Sequence, residues 1–322
     1  MIVRDSMVDL SDASEQYLPS LLAACSHGKE DVARLLLDEG ADAGLAKASG
    51  WSCLMESVKS GKSSLAQLLI ERGAPINQAK ADGWTSLHLS CKNGNAHIAK
   101  LLISQRAAVN EPTAEGWSAL MIASKNGHEE VVNLLIESKA AVTYAKPVTG
   151  VTSLLAACQT GHFGCIQRLL DAKASVDTVR SDDEASSLMV ACRYGHTKAA
   201  ELLIDCGAEV NMSKANNWTA LMAASQHGQA DCVQMLLSRG ADAAKQKADG
   251  ATALSLAEEN ARFSVAKLLR AELGLRPAPD PIREFPADGY PDGKVRSFHA
   301  LPCPSMPFHA LPCPSMPFHA LS

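Results

Sequence analysis

The chain has 322 residues, a formal net charge of −5, and 47% apolar residues of which few are aromatic. That negative balance, with no basic tract, speaks against a general nucleic-acid binder. No run of about 18 apolar residues is present to span a membrane. The start of the chain, with Asp5, Asp9 and Asp12, lacks the basic and apolar regions of a secretory signal.

A polar lead, residues 1–16, precedes the first predicted element. From there on the chain repeats itself. Gly50-Trp51, Gly83-Trp84, Gly116-Trp117, Gly150-Val151, Glu184-Ala185, Asn217-Trp218 and Gly250-Ala251 open equivalent segments, spaced 33, 33, 34, 34, 33 and 33 residues apart. A fixed period of this size marks a solenoid, in which one continuous core grows unit by unit. The usual two-domain expectation for this length therefore gives way to one array over residues 17–275, with units starting near 17, 50, 83, 116, 150, 184, 217 and 250.

Within each unit the pattern predicts a turn, a short helix, a second turn, a second helix and an exit loop. Ser52, Thr85, Ser118, Thr152, Ser186, Thr219 and Thr252 stand before the first helix. Their hydroxyls suit an N-cap, each worth about 1 kcal/mol. Leu54, Leu87, Leu120, Leu154, Leu188, Leu221 and Leu254 anchor that helix in the core, and Gly28, Gly61, Gly94, Gly127, Gly161, Gly195 and Gly228 end it. The second helix carries an apolar pair, from Leu36-Leu37 to Leu236-Leu237. No unit of this size buries such a stripe alone, so neighbours must stack. The exit loops of the first, second, sixth and seventh units place Gly40, Gly73, Gly207 and Gly240 where a left-handed backbone is usual, but the third to fifth units have Arg106, Lys139 and Lys173. The centre of the array is expected to be softer for it.

These motifs resemble those of ankyrin-repeat proteins, over about Tyr17 to Leu275. The resemblance implies an all-α fold with short β-hairpin fingers, helix pairs stacked into a curved solenoid, and protein binding in the concave groove. One departure is consistent: no proline follows the capping hydroxyl. The resemblance also implies that His128, His162 and His196, each after a turn glycine, bond the backbone between units.

After Leu275 the composition changes, and 11 of the 15 prolines fall between Pro277 and Pro317. Phe298 to Pro307 recurs unchanged as Phe308 to Pro317. Residues 276–322 are expected to be a disordered, proline-rich tail. Its His299, Cys303, His309, Cys313 and His319 are soft metal ligands by type, yet their spacing fits no zinc finger, and no metal site or cofactor is expected. Of the ten cysteines, Cys25, Cys91, Cys158 and Cys192 share one repeat position with Val58, Ser124 and Ser225. Small core residues interchange there, which favours a reduced cytosolic or nuclear setting.

No phosphate loop, nucleophile elbow or metalloprotease motif is present, and an enzyme is not expected. The candidate site lies on the fingers. All four tryptophans, Trp51, Trp84, Trp117 and Trp218, share one position, which the resemblance places at the groove rim. Eight residues on come Lys59, Lys92, Lys125, Gln159, Arg193 and Gln226, expected about 10 Å apart along the stack. Aromatic and cationic groups are favoured interface anchors. These residues, with Tyr194, are the expected contacts for a protein or peptide partner; packing of each Trp on the next finger is the alternative. The array loses its Trp at Val151 and Ala185, beside an acidic Asp182-Asp183-Glu184 finger, so two sub-sites, or one ligand that changes character midway, are expected; drift of a loop is the alternative. The reading is a monomeric adaptor without a small-molecule substrate. The alternative is a recognition or regulatory subunit of a kinase or ubiquitin-ligase complex, or a fragment of a larger multidomain protein.

Overall fold

A computed structural model describes residues 17–276, so the proline-rich segment and its duplicated peptide lie outside the described residues. Among the described residues sixteen helices alternate between two layers. The inner layer comprises α1 (Leu18–His27), α3 (Cys53–Lys59), α5 (Ser86–Asn93), α7 (Ala119–Asn126), α9 (Ser153–Thr160), α11 (Ser187–Arg193), α13 (Ala220–His227) and α15 (Ala253–Glu259). The outer layer comprises α2 (Glu30–Asp38), α4 (Ser63–Glu71), α6 (Ala96–Ser104), α8 (Glu129–Glu137), α10 (Phe163–Asp171), α12 (Thr197–Asp205), α14 (Ala230–Ser238) and α16 (Phe263–Glu272). Each helix packs on its partner in the unit and on its counterparts in the units to either side.

Such short helices do not persist alone in water, so their stability must come from this packing. Leu54, Leu87, Leu120 and Leu154 are buried in the inner layer, as are Leu69, Leu102, Leu135 and Leu169 in the outer layer. They belong to one cluster that runs through all the units. Each of the seven predicted N-caps accepts from the backbone N–H three residues on; Ser118 Oγ, for example, takes Met121 N–H at 3.2 Å. Proline is absent after the cap, yet Thr85 gains a second bond there. His88 Nδ1 accepts the Thr85 N–H at 3.2 Å and closes a capping box.

The turn glycines meet two demands at once. Gly94 has φ 72°, and a Cβ built on it would sit 2.3 Å from His128 Nδ1 of the next unit. The histidine comes that close because it bonds backward along the stack: His128 Nε2 lies 3.0 Å from Lys92 O. His196 reaches Gln159 O at 3.4 Å, and His162 packs on Gly127. Where His is missing, Gln229 donates to Arg193 O at 3.3 Å and Arg262 to Gln226 O at 3.2 Å. The position thus serves the stack.

The fingers are hairpins reduced to a minimum. Isolated antiparallel bridges pair Ala46 with Ser52, Ala145 with Thr152, Val179 with Ser186, Ser213 with Thr219 and Gln246 with Thr252. Adjacent fingers are also joined, as in Ala114 N–H to Asp82 O at 2.9 Å. Glu184 and Asn217 adopt φ of 55° and 64° where the other fingers have glycine.

In the exit loops Arg106, Lys139 and Lys173 adopt φ of 64°, 65° and 63°. An asparagine one unit back holds two of these turns. Asn77 Nδ2 donates to Arg106 O at 3.3 Å, and Asn110 Nδ2 to Lys139 O at 3.1 Å. Their Oδ1 atoms accept Ala108 and Ala141 N–H, each at 2.8 Å. Among the described residues seven cysteines are buried thiols, and burial pushes the Cys91 thiol up to about 12. The four at the shared repeat position are among them, as small core residues should be. No helix among the described residues is long and apolar enough to cross a membrane.

Candidate functional site

The groove runs between the fingers and the ends of the inner helices. A Trp enters it because its carbonyl is tied into the finger base. Trp51, Trp84, Trp117 and Trp218 O each accept the N–H of the residue four positions earlier, at 2.9–3.0 Å. The side chain is then held at the rim, half-buried against the core.

The inner-helix lysines meet these rings. Lys59 Nζ lies 5.4 Å from the Trp51 centroid, Lys92 Nζ 5.6 Å from Trp84, and Lys125 Nζ 4.9 Å from Trp117. These are cation–π distances, each worth about 0.5–1 kcal/mol at an exposed site. A second set of cations comes from the finger one unit on. Lys80 Nζ is 5.7 Å from Trp51, Lys146 Nζ 4.9 Å from Trp117 and Lys247 Nζ 5.4 Å from Trp218. The sequence reading missed these three. Their signal was present, since Lys47, Lys80, Lys146, Arg180, Lys214 and Lys247 form a column with the repeat period.

Trp218 therefore differs from its three counterparts. Gln226 occupies the position that would carry its inner-helix lysine, and its cation is Lys247 alone. Trp84 has one lysine and a T-shaped contact with His88, with ring centroids 5.9 Å apart. Trp51 is also fixed through Nε1, which donates to Glu56 Oε2 at 2.7 Å. Among the described residues Lys92 and Lys125 have no carboxylate partner, whereas Lys59 reaches Glu56 at 3.9 Å.

The acidic finger is largely neutralised within the fold. Arg180 pairs with Asp182 at 2.9 Å and with Asp183 at 3.2 Å, and Lys214 reaches Asp183 from the next finger at 3.6 Å. The Arg180 guanidinium holds the Asp182 carboxyl below its ordinary value. Glu184 accepts the Ala215 N–H at 2.7 Å. Beside this finger, Arg193, Tyr194 and Trp218 come together around a cleft of about 260 Å³ between the sixth and seventh units. Among the described residues no cluster of His, Cys, Asp and Glu is arranged to hold a metal ion.

A family model described as Ankyrin repeats (3 copies) matches residues 6–80, 64–146, 140–214 and 188–278. A crystal structure of the human ASB11 ankyrin repeat domain is similar in fold, with a TM-score of 0.64 and 28% identity over 68% of this chain and 96% of that one. No curated protein matches by sequence. The period, the capped inner helices, the fingers and these matches agree, and the chain belongs to the ankyrin-repeat family.

Proposed function

We propose that the repeat array is a non-catalytic adaptor that holds a segment of a partner protein along the groove between fingers and inner helices. Ankyrin repeats are in general protein–protein interaction modules. The observation that carries the reading here is the line of half-buried indoles, each beside an exposed ammonium group, at Trp51/Lys59, Trp84/Lys92 and Trp117/Lys125. An indole held at the rim loses further apolar area when covered. Lys92 and Lys125, which have no carboxylate partner among the described residues, suit acidic residues on the bound segment. A partner with alternating apolar and acidic side chains fits best.

A pull-down with the full chain tests this. Wild type is compared with Trp84→Ala/Lys92→Glu, and both are melted to establish folding. Partner recovery is expected to fall at least tenfold in the folded double variant. Undiminished recovery would remove the groove from the reading.

A further inference from the structure

The cleft between the sixth and seventh units differs chemically from the rest of the groove. At the end of the inner helix the third and fourth units have Lys92 and Lys125, followed by Asn93 and Asn126; the sixth unit has Arg193, followed by Tyr194. Tyr194 is 45% exposed and stacks on His196, with centroids 6.4 Å apart and planes 26° off parallel. The Arg193 guanidinium lies 5.8 Å from the Tyr194 centroid. Trp218 stands on the next finger as the other aromatic lining, and buried Met189, Val190 and Ala223 supply apolar surface.

The charges around the cleft leave one cation over. Arg180 and Lys214 are engaged by Asp182 and Asp183. Arg193 lines the same cleft and, among the described residues, forms no ion pair. A guanidinium offers two parallel N–H donors that match a carboxylate, which the ammonium groups of Lys92 and Lys125 do not. The volume, about 260 Å³, falls below the roughly 300–1,000 Å³ of small-molecule sites and suits a side chain or two. A phosphate dianion would meet the nearby Asp183 carboxylate with only one free cation to balance it, so a single negative charge fits better.

We propose that this cleft is a selectivity pocket that receives an aspartate or glutamate side chain and an adjacent apolar side chain of the bound segment, with Arg193 pairing the carboxylate and Tyr194 and Trp218 flanking the apolar group. The pocket deepens the groove-binding reading above and rests on it. It assigns the C-terminal half of the groove a more specific role than the Trp/Lys half.

The probe is a random peptide library displayed on phage, of a length that spans both halves of the groove even as a helix, selected against the immobilised full chain. Enriched peptides are then synthesised and measured by fluorescence anisotropy. They should share an acidic residue next to an apolar one. Arg193→Gln should weaken binding about tenfold or more, and replacing the acidic residue of the peptide by its amide should do the same. The two changes together should cost little more than either alone, because they remove one interaction. Tyr194→Asn, which installs the residue found at Asn93 and Asn126, should weaken binding while the chain stays folded. Additive losses, or peptides indifferent to Arg193, would overturn the pocket. If those peptides still lose binding with Trp84→Ala/Lys92→Glu, the groove reading stands; if they are indifferent to that variant too, or if the folded chain enriches no peptide, both readings fall.

Discussion

Lys139 offers a direct test of how backbone strain is distributed along the array. Its φ is 65°, a left-handed conformation that costs a residue with a Cβ about 1 kcal/mol. Nothing else at this position disfavours a side chain. At the equivalent Gly40, Gly73, Gly207 and Gly240, an added Cβ would meet no atom within 4 Å. The turn persists in Lys139 because it is held from both sides: Lys139 N–H donates to Ile136 O at 3.0 Å, and Lys139 O accepts from Asn110. Lys139→Gly relieves the strain but removes a cation from a helix C-terminus, which is worth about 0.3–1 kcal/mol. The expected net gain is about 0.5 kcal/mol. Arg106, Lys139 and Lys173 lie in successive units and share no partner, so the triple glycine variant should gain about 1.5 kcal/mol. For an array of this size that is about 3–6 °C in Tm. Lys139→Ala is the control, since it loses the charge and keeps the strain. Glycine should exceed alanine by about 1 kcal/mol in urea-unfolding free energy. Solenoids need not unfold in one step, so hydrogen exchange should accompany the melts. In the wild type, amides of α6, α8 and α10 should exchange faster than those of α12 and α14. A glycine variant no more stable than the alanine variant would refute the reasoning.

Two further outcomes follow from the same geometry. Gly94→Ala combines a φ of 72° with a contact of 2.3 Å to the His128 ring, so it should cost well over 2 kcal/mol, whereas Gly207→Ala, with φ 96° and open space, should cost about 1 kcal/mol in urea unfolding. His88 is buried, and burial lowers its pKa to about 4, with the Glu111 backbone acting the other way. The unfolded value is about 6.5, so above that pH His88 is neutral in both states and its contribution is constant. As pH falls from about 6.5 towards 4 the unfolded chain binds the proton first, and about 3 kcal/mol of stability should be lost. His88→Met, the residue type at Met55, Met121 and Met222, should flatten that slope; urea melts across the same range that keep the slope would refute it.

Much of the fold is legible because each signature residue answers a local backbone demand. A hydroxyl at Thr85 caps a helix, a glycine at Gly94 turns left-handed, and both recur with the period. Even Arg106, Lys139 and Lys173 could be placed, since they stand in a column of glycines. What escaped the sequence was contact between units. Lys80 and Lys146 meet tryptophans that precede them by 29 residues, a distance at which no local rule operates. The acidic finger reads as a charged surface until Arg180 and Lys214 are seen to neutralise much of it. The Asn77 and Asn110 bridges were hidden for the same reason, because each spans one unit boundary.

The spacing of the surface groups is set by the stacking that builds the core. Trp117 and Lys125 belong to the fourth unit and Arg193 to the sixth, two steps along the array. Packed helices stand about 8–10 Å apart, which puts about 20 Å between these groups. An extended chain advances about 3.3 Å per residue and covers that span in about six residues. The fifth unit, which carries Val151 at the Trp position, offers no indole in between. If one segment occupies both halves of the groove, its two sets of acidic and apolar anchors must therefore lie about six residues apart. A helical segment, rising about 1.5 Å per residue, would need about thirteen. The anchor spacing in selected peptides thus reports the conformation in which the groove holds its partner.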